Sequence, residues 1–475
     1  MTDLVLSPDR LLPADPATRS VARRLYQSVA GTAIYSPHSH VDPSMLVDDE
    51  PFSDPAALFI TPDHYVTRLL HAHGVSLRDL GCEEEGRPGE TSARAIWRLL
   101  CTHWPVFAGT PVRWWLETEL SELFGVRETP SAATADRIYD HLCQMLSSDA
   151  FRPRALFARF GLKLLATTDD PADDLSAHRA LRADPSFSGH VVPTFRPDRY
   201  FDPTAVGWTA ALADLAASSD TSCETYSGLL EALRKRRAVF AAHGATASDM
   251  GVPDAGSTPL TAAEAERIHR SALTGQVSVA DATAYRHNML FRMAEMSCED
   301  GLVMQLHPGV IRNHHLPTLR AHGPNTGHDL PDATSFTRPL APLLNAFGTH
   351  PQLRLILFTV DETTFSRDIA PLAGFYPTVY AGAPWWFLDS PAAIARFRAA
   401  VTDSASFTKT SGFIDDTRAF CSIPARHDMS RRADAAHLAH LVVTHQLPED
   451  EAIDIARRLV SEIPVHAFKL EAYTL

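Results

Sequence analysis

The sequence predicts an α/β fold, a (β/α)8 TIM-like barrel with a large helical insertion after its first strand. Three observations carry that expectation. Short runs rich in aliphatic or β-branched residues recur along the chain at 32–36, 162–168, 190–196, 239–246, 302–307, 353–360, 377–381 and 412–415. Stretches long enough for helices separate most of them, an alternation that implies parallel strands joined by crossover helices. The 475 residues also exceed the roughly 250 of a minimal barrel, so a single domain over 1–475 has room for insertions.

The first run, TAIYS, leads into Pro-His-Ser-His at 37–40. The following gap, 42–155, is too long for one crossover and carries helical patterns such as SARAIWRLL and WWLETELSELF, as a helical insertion at the barrel mouth would. Later runs follow at closer spacing. GVPDAGSTPLT at 251–261 reads as a mobile loop leading into a helix. Near the end, PEDEAIDIARRLVSEI opens with proline and acids and then places Ile453, Ala456, Leu459 and Val460 on one face, as a helix packed on the body does. Eight parallel strands can close into a barrel, with an open doubly wound sheet as the alternative.

Composition narrows the function. Asp and Glu number 57 against 43 Lys and Arg, a formal charge of −14, which disfavours nucleic acid and anionic membranes as partners and favours a small molecule. No apolar run approaches the ~18 residues of a membrane span, and the N-terminus lacks a basic segment followed by an apolar one. A cytoplasmic location is expected. The six cysteines lie far apart without paired short spacings, which argues against a disulfide framework or a cysteine zinc site and for buried thiols.

In a barrel, functional groups gather where strands end. There the sequence places His38 and His40, Arg196, Asp249, His307, the Trp385–Trp386 pair, Asp416 and Arg418. His38 and His40 are two apart, so on a strand both imidazoles project from one face and can share an ion. His71 and His73 repeat the spacing without other support. Asp416 completes a His-His-carboxylate set with open positions, the pattern of a catalytic metal; Asp415 competes for the role, since neighbours on a strand face opposite ways. Arg196, Arg312 and Arg418 suggest an anionic substrate, because a guanidinium fork matches a carboxylate.

Taken in order, these segments resemble the uronate isomerase (glucuronate isomerase) family of the amidohydrolase superfamily over most of the chain. The match runs through PHSH, DHYVTRLLHAHGV at 63–75, TTDDPADDLSAH at 167–178, PTFRPD at 193–198, Ser-Asp at 248–249, MQLHPGVIRN at 304–313, PWWF at 384–387, and DTRAF followed by RHD at 416–428. The resemblance implies one divalent metal ion, Zn2+, on His38, His40 and Asp416. It implies catalytic roles for Tyr65, Asp416, Arg418 and His307, and substrate contacts from His64, Arg196, Asp249, Arg312 and Trp385, with Trp386 as the alternative indole. Tyr65 and Asp416 are the candidates for proton transfer, the tyrosine on condition that a nearby cation lowers its pKa.

The reaction so implied is aldose–ketose isomerisation of hexuronic acids, D-glucuronate to D-fructuronate or D-galacturonate to D-tagaturonate, by an enzyme expected to form homo-oligomers. Two other functions compete with it: a metal-dependent hydrolase on the same barrel, and a sugar-acid binding paralogue without activity. Three departures from the family pattern stand out. Met250 follows Ser-Asp where the family usually has histidine, which removes an imidazole expected in the fourth-strand loop. Ser36-Pro37 replaces an Asp-containing segment, and the terminal helix ends in VHAFKL where the family usually has an Asn-rich aromatic pattern.

Overall fold

Parallel strands covered on both faces need residues that are apolar throughout. Leu164, Leu165, Val303, Leu306, Leu355 and Ile356 meet that need and are wholly buried in the computed structural model, which describes residues 3–474. Among these residues the strands are β1 (Ile34–Ser36), β2 (Leu162–Ala166), β3 (His190–Val192), β4 (Ala247–Met250), β5 (Val303–Leu306), β6 (Val310–Ile311), β7 (Leu330–Pro331), β8 (Leu355–Leu357) and β9 (Val379–Ala381). The fold is mixed α/β. β1, β2 and β3 form one parallel sheet, β4, β5, β8 and β9 a second, and β6 pairs antiparallel with β7.

Further backbone contacts run between these sheets. Phe195 bridges in parallel to both Asp169 and Ser248, and Ala381 bridges to Thr410. The amide of His40 donates to the Thr417 carbonyl at 3.0 Å and that of Asp416 to the His38 carbonyl at 3.3 Å, so the chain after Thr410 lies against the chain after β1. These contacts bring His38, His40 and Asp416 together although more than 370 residues separate them, a distance the numbering itself gives.

Between β1 and β2 the chain is helical, including His64–Ala72, Ala93–Thr102, Pro111–Thr118 and Ala135–Leu146. Asp63, Ser92 and Thr110 cap the first three, each side-chain oxygen accepting an orphan backbone N–H of its helix. Trp97, Trp104, Trp115, Phe107 and Phe124 bury within this layer in one core with β1 to β3. Near the C-terminus, Glu449–Val460 buries Ala452, Ala456 and Leu459 against Val21, Leu25 and Leu438, while Ile453 and Val460 are half-buried at its margin. Segment 251–261 is irregular until Thr261 starts Ala262–Leu273 with a capping box. The six cysteines are free thiols, of which Cys101, Cys223 and Cys421 are buried.

Two of the expected strands are corrected. The run 239–246 is the end of helix Tyr226–Ala242 and its turn; the strand is β4, immediately after it. Val239 and Phe240 carry the aliphatic signal because they pack the helix, whereas β4 reads Ala-Ser-Asp-Met and is buried despite its polar centre. The run 412–415 makes no ladder, and regular pairing there is limited to the bridge at Thr410. Gly412 takes φ +71, and a Cβ on it would lie 2.8 Å from Pro464, so the chain turns there instead of continuing extended.

Candidate active site

A cavity of about 470 Å3 opens where the strands end, and every site residue named from the sequence lines it: His38, His40, His64, Tyr65, Arg196, Asp249, His307, Arg312, Trp385, Trp386, Asp416 and Arg418. The strands explain the convergence. β1, β5 and β9 run out into His38, His307 and Trp385, and β4 turns Asp249 toward the cavity. Asp416, which takes the left-handed φ of +42, follows the Thr410 bridge. An aspartate in that conformation holds its carboxylate at a cost in backbone strain, as residues at functional sites often do.

Two imidazoles crowd one carboxylate oxygen. Nε2 of His38 lies 3.3 Å and Nε2 of His40 3.1 Å from Oδ1 of Asp416, yet that buried oxygen has no well-directed hydrogen bond. Atoms each about 2.1 Å from a shared tetrahedral ion stand roughly 3.4 Å apart, close to these separations. Ligand-capable atoms of His38, His307 and Asp416 all lie within 4.8 Å of one another. His307 passes Nδ1 to Asp249 Oδ1 at 2.7 Å and is left with an unpartnered Nε2. The donor set therefore fits a divalent cation, and it is larger than the sequence suggested: His307 joins His38 and Asp416 in the tightest group, with His40 against the same carboxylate.

Burial and neighbouring charge set the protonation of these donors. Burial lowers His40 to about 4, and burial likewise lowers His307 against the pull of Asp249, so both are neutral near pH 7 with a lone pair to offer. Burial also acts to lower His38, but Asp416 and Asp249 outweigh it and leave its pKa raised. Burial would raise Asp416, and the two imidazoles overcome it, holding the carboxyl well below its usual range.

The three arginines differ in what already neutralises them. Arg196 is clamped between Asp198 at 2.8 Å and Asp249 at 3.1 Å. Arg312 pairs with Asp329 at 2.9 Å and lies 5.1 Å from the Trp386 ring. Arg418 has no carboxylate ion pair among the described residues and donates to the Asn325 amide oxygen at 3.3 Å. Burial lowers its pKa, and it feels both other guanidiniums. It is the cation in this cavity with unspent capacity.

His64 and Tyr65 open the helix that Asp63 caps, and their rings stack at 4.9 Å. Burial, and next the Arg418 charge, hold His64 near 3, with Nε2 buried and unpartnered. Tyr65 departs from expectation. Burial moves its phenol upward, and the guanidinium that opposes this is Arg426, not Arg418, so Arg418 does not activate it and the protonated phenol serves as a hydrogen-bond donor. Both indoles line the cavity: Trp385 packs edge-on to His307 at 4.7 Å and Trp386 to His64 at 5.4 Å, so neither replaces the other.

Other candidates fall away from the cavity. Asp415 faces His427, 3.1 Å distant, which leaves Asp416 as the inward carboxylate. His71 and His73 bond to carbonyls of their own helix region. Met250 is wholly buried in the core on the far side of β4 from Asp249, so position 250 does not face the cavity. Sequence reasoning missed Asp198, Asn325 and Asp329, which line the cavity as partners of the three arginines. Of these, Asp198 stood within PTFRPD, while Asn325 and Asp329 sit in an irregular loop between β6 and β7 with no periodic signal.

Comparison with known proteins agrees with this geometry. The family model described as glucuronate isomerase matches residues 16–468. The uronate isomerase of Cutibacterium acnes is 48% identical over 467 residues, covering 98% of this chain and 99% of that one. The crystal structure of glucuronate isomerase from Caulobacter crescentus superposes with a TM-score of 0.97 at 44% identity, over 99% of this chain and 98% of that one. That of uronate isomerase from Thermotoga maritima gives 0.91 at 27% identity, over 98% and 99%. The chain belongs to the glucuronate isomerase family.

Proposed function

We propose that this chain is a uronate isomerase that interconverts aldehyde and ketone forms of a hexuronic acid in the cytoplasm. One observation carries it: a His-His-Asp cluster able to hold a cation shares a cavity with Arg418, a guanidinium lacking a carboxylate partner among the described residues. A uronate offers both complements, oxygens on the reacting carbons and a carboxylate at the other end. The scaffold is read as one (β/α)8 barrel with 42–155 as a helical insertion. The bridges at Phe195 and Thr410 and the hydrogen bonds between 38–40 and 416–417 support that closure.

Isomerisation takes a proton from C2 of the aldose while the aldehyde oxygen gains one, giving an enediol; C1 is then protonated as the C2 hydroxyl loses its proton to become the ketone. Asp416, ionised, takes the C2 proton on its second carboxylate oxygen, Oδ1 being the one beside the two imidazoles, and returns it to C1. Tyr65 donates its O–H to the oxygen that gains charge. Arg418 receives the substrate carboxylate through its fork. His64 and the remaining N–H groups of Arg196 and Arg312 meet substrate oxygens, and Trp385 and Trp386 wall the C–H face. His38, His40, His307 and Asp416 would hold one divalent ion, Zn2+ by its preference for nitrogen donors, which when bound supplies Lewis-acid polarisation of a carbonyl or hydroxyl oxygen.

The test is incubation of the metal-loaded protein with D-glucuronate and, separately, D-galacturonate, following keto-acid product with a coupled reductase. Turnover that disappears in a His38→Ala/His40→Ala variant is expected. No turnover of either sugar by a folded, metal-loaded protein, or hydrolysis of lactones in its place, would overturn the assignment.

A further inference from the structure

Tyr65 and Trp386 are a shared wall: on their other side lies a second cavity, of about 730 Å3. Three guanidiniums line it, each laid on an aromatic ring, Arg10 on Trp114 at 3.7 Å, Arg68 on Phe387 at 4.5 Å and Arg113 on Trp104 at 4.3 Å. Stacking of this kind covers the face of a guanidinium and leaves its in-plane N–H edge for a planar anion. Arg10 and Arg113 share Glu117, at 2.8 and 2.5 Å. Arg68 is half-buried and, among the described residues, makes no hydrogen bond or ion pair.

Three cations against one carboxylate, in a chain of net charge −14, is a local reversal of sign. A partly desolvated guanidinium without a counterion is costly, and the cost is removed by an anion in the cavity. The N-terminal wall is fixed and not a loose strand. Leu11 takes a φ of +63, which a bulky residue seldom adopts, and Arg432 holds the carbonyls of Pro8 and Arg10 at 2.6 and 3.3 Å. The size suits a small ligand.

We propose that this second cavity binds the carboxylate of a six-carbon sugar acid through Arg68, as a site distinct from the active cavity and sharing its wall. The choice of a sugar acid rests on the isomerase reading; the anion site itself does not. His64 and Tyr65 stand on the first turn of helix His64–Ala72 and Arg68 one turn further on, so an occupant of one cavity touches the element that lines the other.

Titration calorimetry of the metal-loaded full chain with D-gluconate, a sugar acid with no carbonyl to isomerise, counts the sites. Two binding steps are expected. Arg68→Gln weakens one about tenfold or more and spares the other, Arg418→Gln does the reverse, and Arg68→Lys, which keeps the charge and loses the fork, falls between wild type and Arg68→Gln. A thermal midpoint for each variant confirms that it is folded. A single step in wild type, or a second step untouched in both Arg68→Gln and Arg68→Lys, overturns the proposal. Uronate turnover by wild type is measured separately, so a failed isomerase reading and a missing second site are told apart.

Discussion

Two buried groups of charge in this molecule look alike by exposure and differ in how they are satisfied. Arg398 and Asp434 join helices Pro391–Ala405 and Ile423–Val443 through two parallel hydrogen bonds, 2.6 and 2.9 Å long, so that each oxygen of the carboxylate has its donor. At the cavity, His38, His307 and Asp416 are just as enclosed, yet Nδ1 of His38, Nε2 of His307 and Oδ1 of Asp416 lack partners. Desolvating a polar atom without a partner costs free energy that a purely structural cluster would recover by pairing. Burial of charge therefore does not mark the site; what does is several unpartnered donor atoms meeting in one cavity.

The sharpest way to break this contrast is Asp416→Asn. Loss of the acceptor and of a cation ligand is expected to lower kcat/KM for the uronate by roughly 10^3-fold or more, while the thermal midpoint stays close to wild type. The coupled reductase assay and a melting curve on the same preparation check both halves. Arg398→Met should invert the pattern: a stability loss of about 3–5 kcal/mol, because Asp434 is left as an unpaired buried charge, with activity per folded molecule retained. Denaturant unfolding measures it, and the double variant Arg398→Met/Asp434→Leu should recover most of the loss.

The same distinction explains how much was legible in advance. His38, His40, Arg196 and His307 were readable because strand ends and residue spacing constrain them; Asp416 was reached from a run, 412–415, that forms no strand, and His64 and Tyr65 came through resemblance alone, since nothing in the helix Asp63 caps distinguishes them chemically. β4 was misplaced by several residues because hydrophobicity marks burial by apolar atoms. Ser248 and Asp249 are completely buried polar residues, so the strand that presents a site residue looked like a turn. The pairing of Arg312 with Asp329 was invisible, for it depends on how an irregular loop folds back from β7 to β6. What the sequence hides is the spending of charge, which needs three-dimensional neighbours.

Asp249 sits on the boundary between the two classes. Arg196 and His307 draw its carboxyl well below the ordinary range despite burial, and it fixes the His307 ring by accepting from Nδ1. Asp249→Asn keeps the shape and weakens that hold, so a fall in kcat/KM of about 10–100-fold is expected, the range for partners that orient a ligand. Metal content measured after dialysis should fall in parallel. An unchanged enzyme would place Asp249 with Arg398 and Asp434, as a structural charge.

Glu119 offers the smallest and most diagnostic effect. It lies within the wide turn Glu119–Leu123 that ends helix Pro111–Thr118, away from the cavity lining, and is nearly inaccessible. Burial, and next the Asp63 charge, push its carboxyl up from 4.5 to about 8, with Arg426 acting the other way. Between those two values the folded chain keeps a proton that the unfolded chain has released. The stability tied to that proton is whole below 4.5 and is lost as pH rises to about 8. Glu119→Gln mimics the protonated form at every pH, so the melting temperature of the variant should gain on that of wild type progressively across this window. Curves that stay parallel would mean that Glu119 is ionised and paired in the folded state, and that it belongs with Arg398 and Asp434 as a charge whose bonding capacity is already spent.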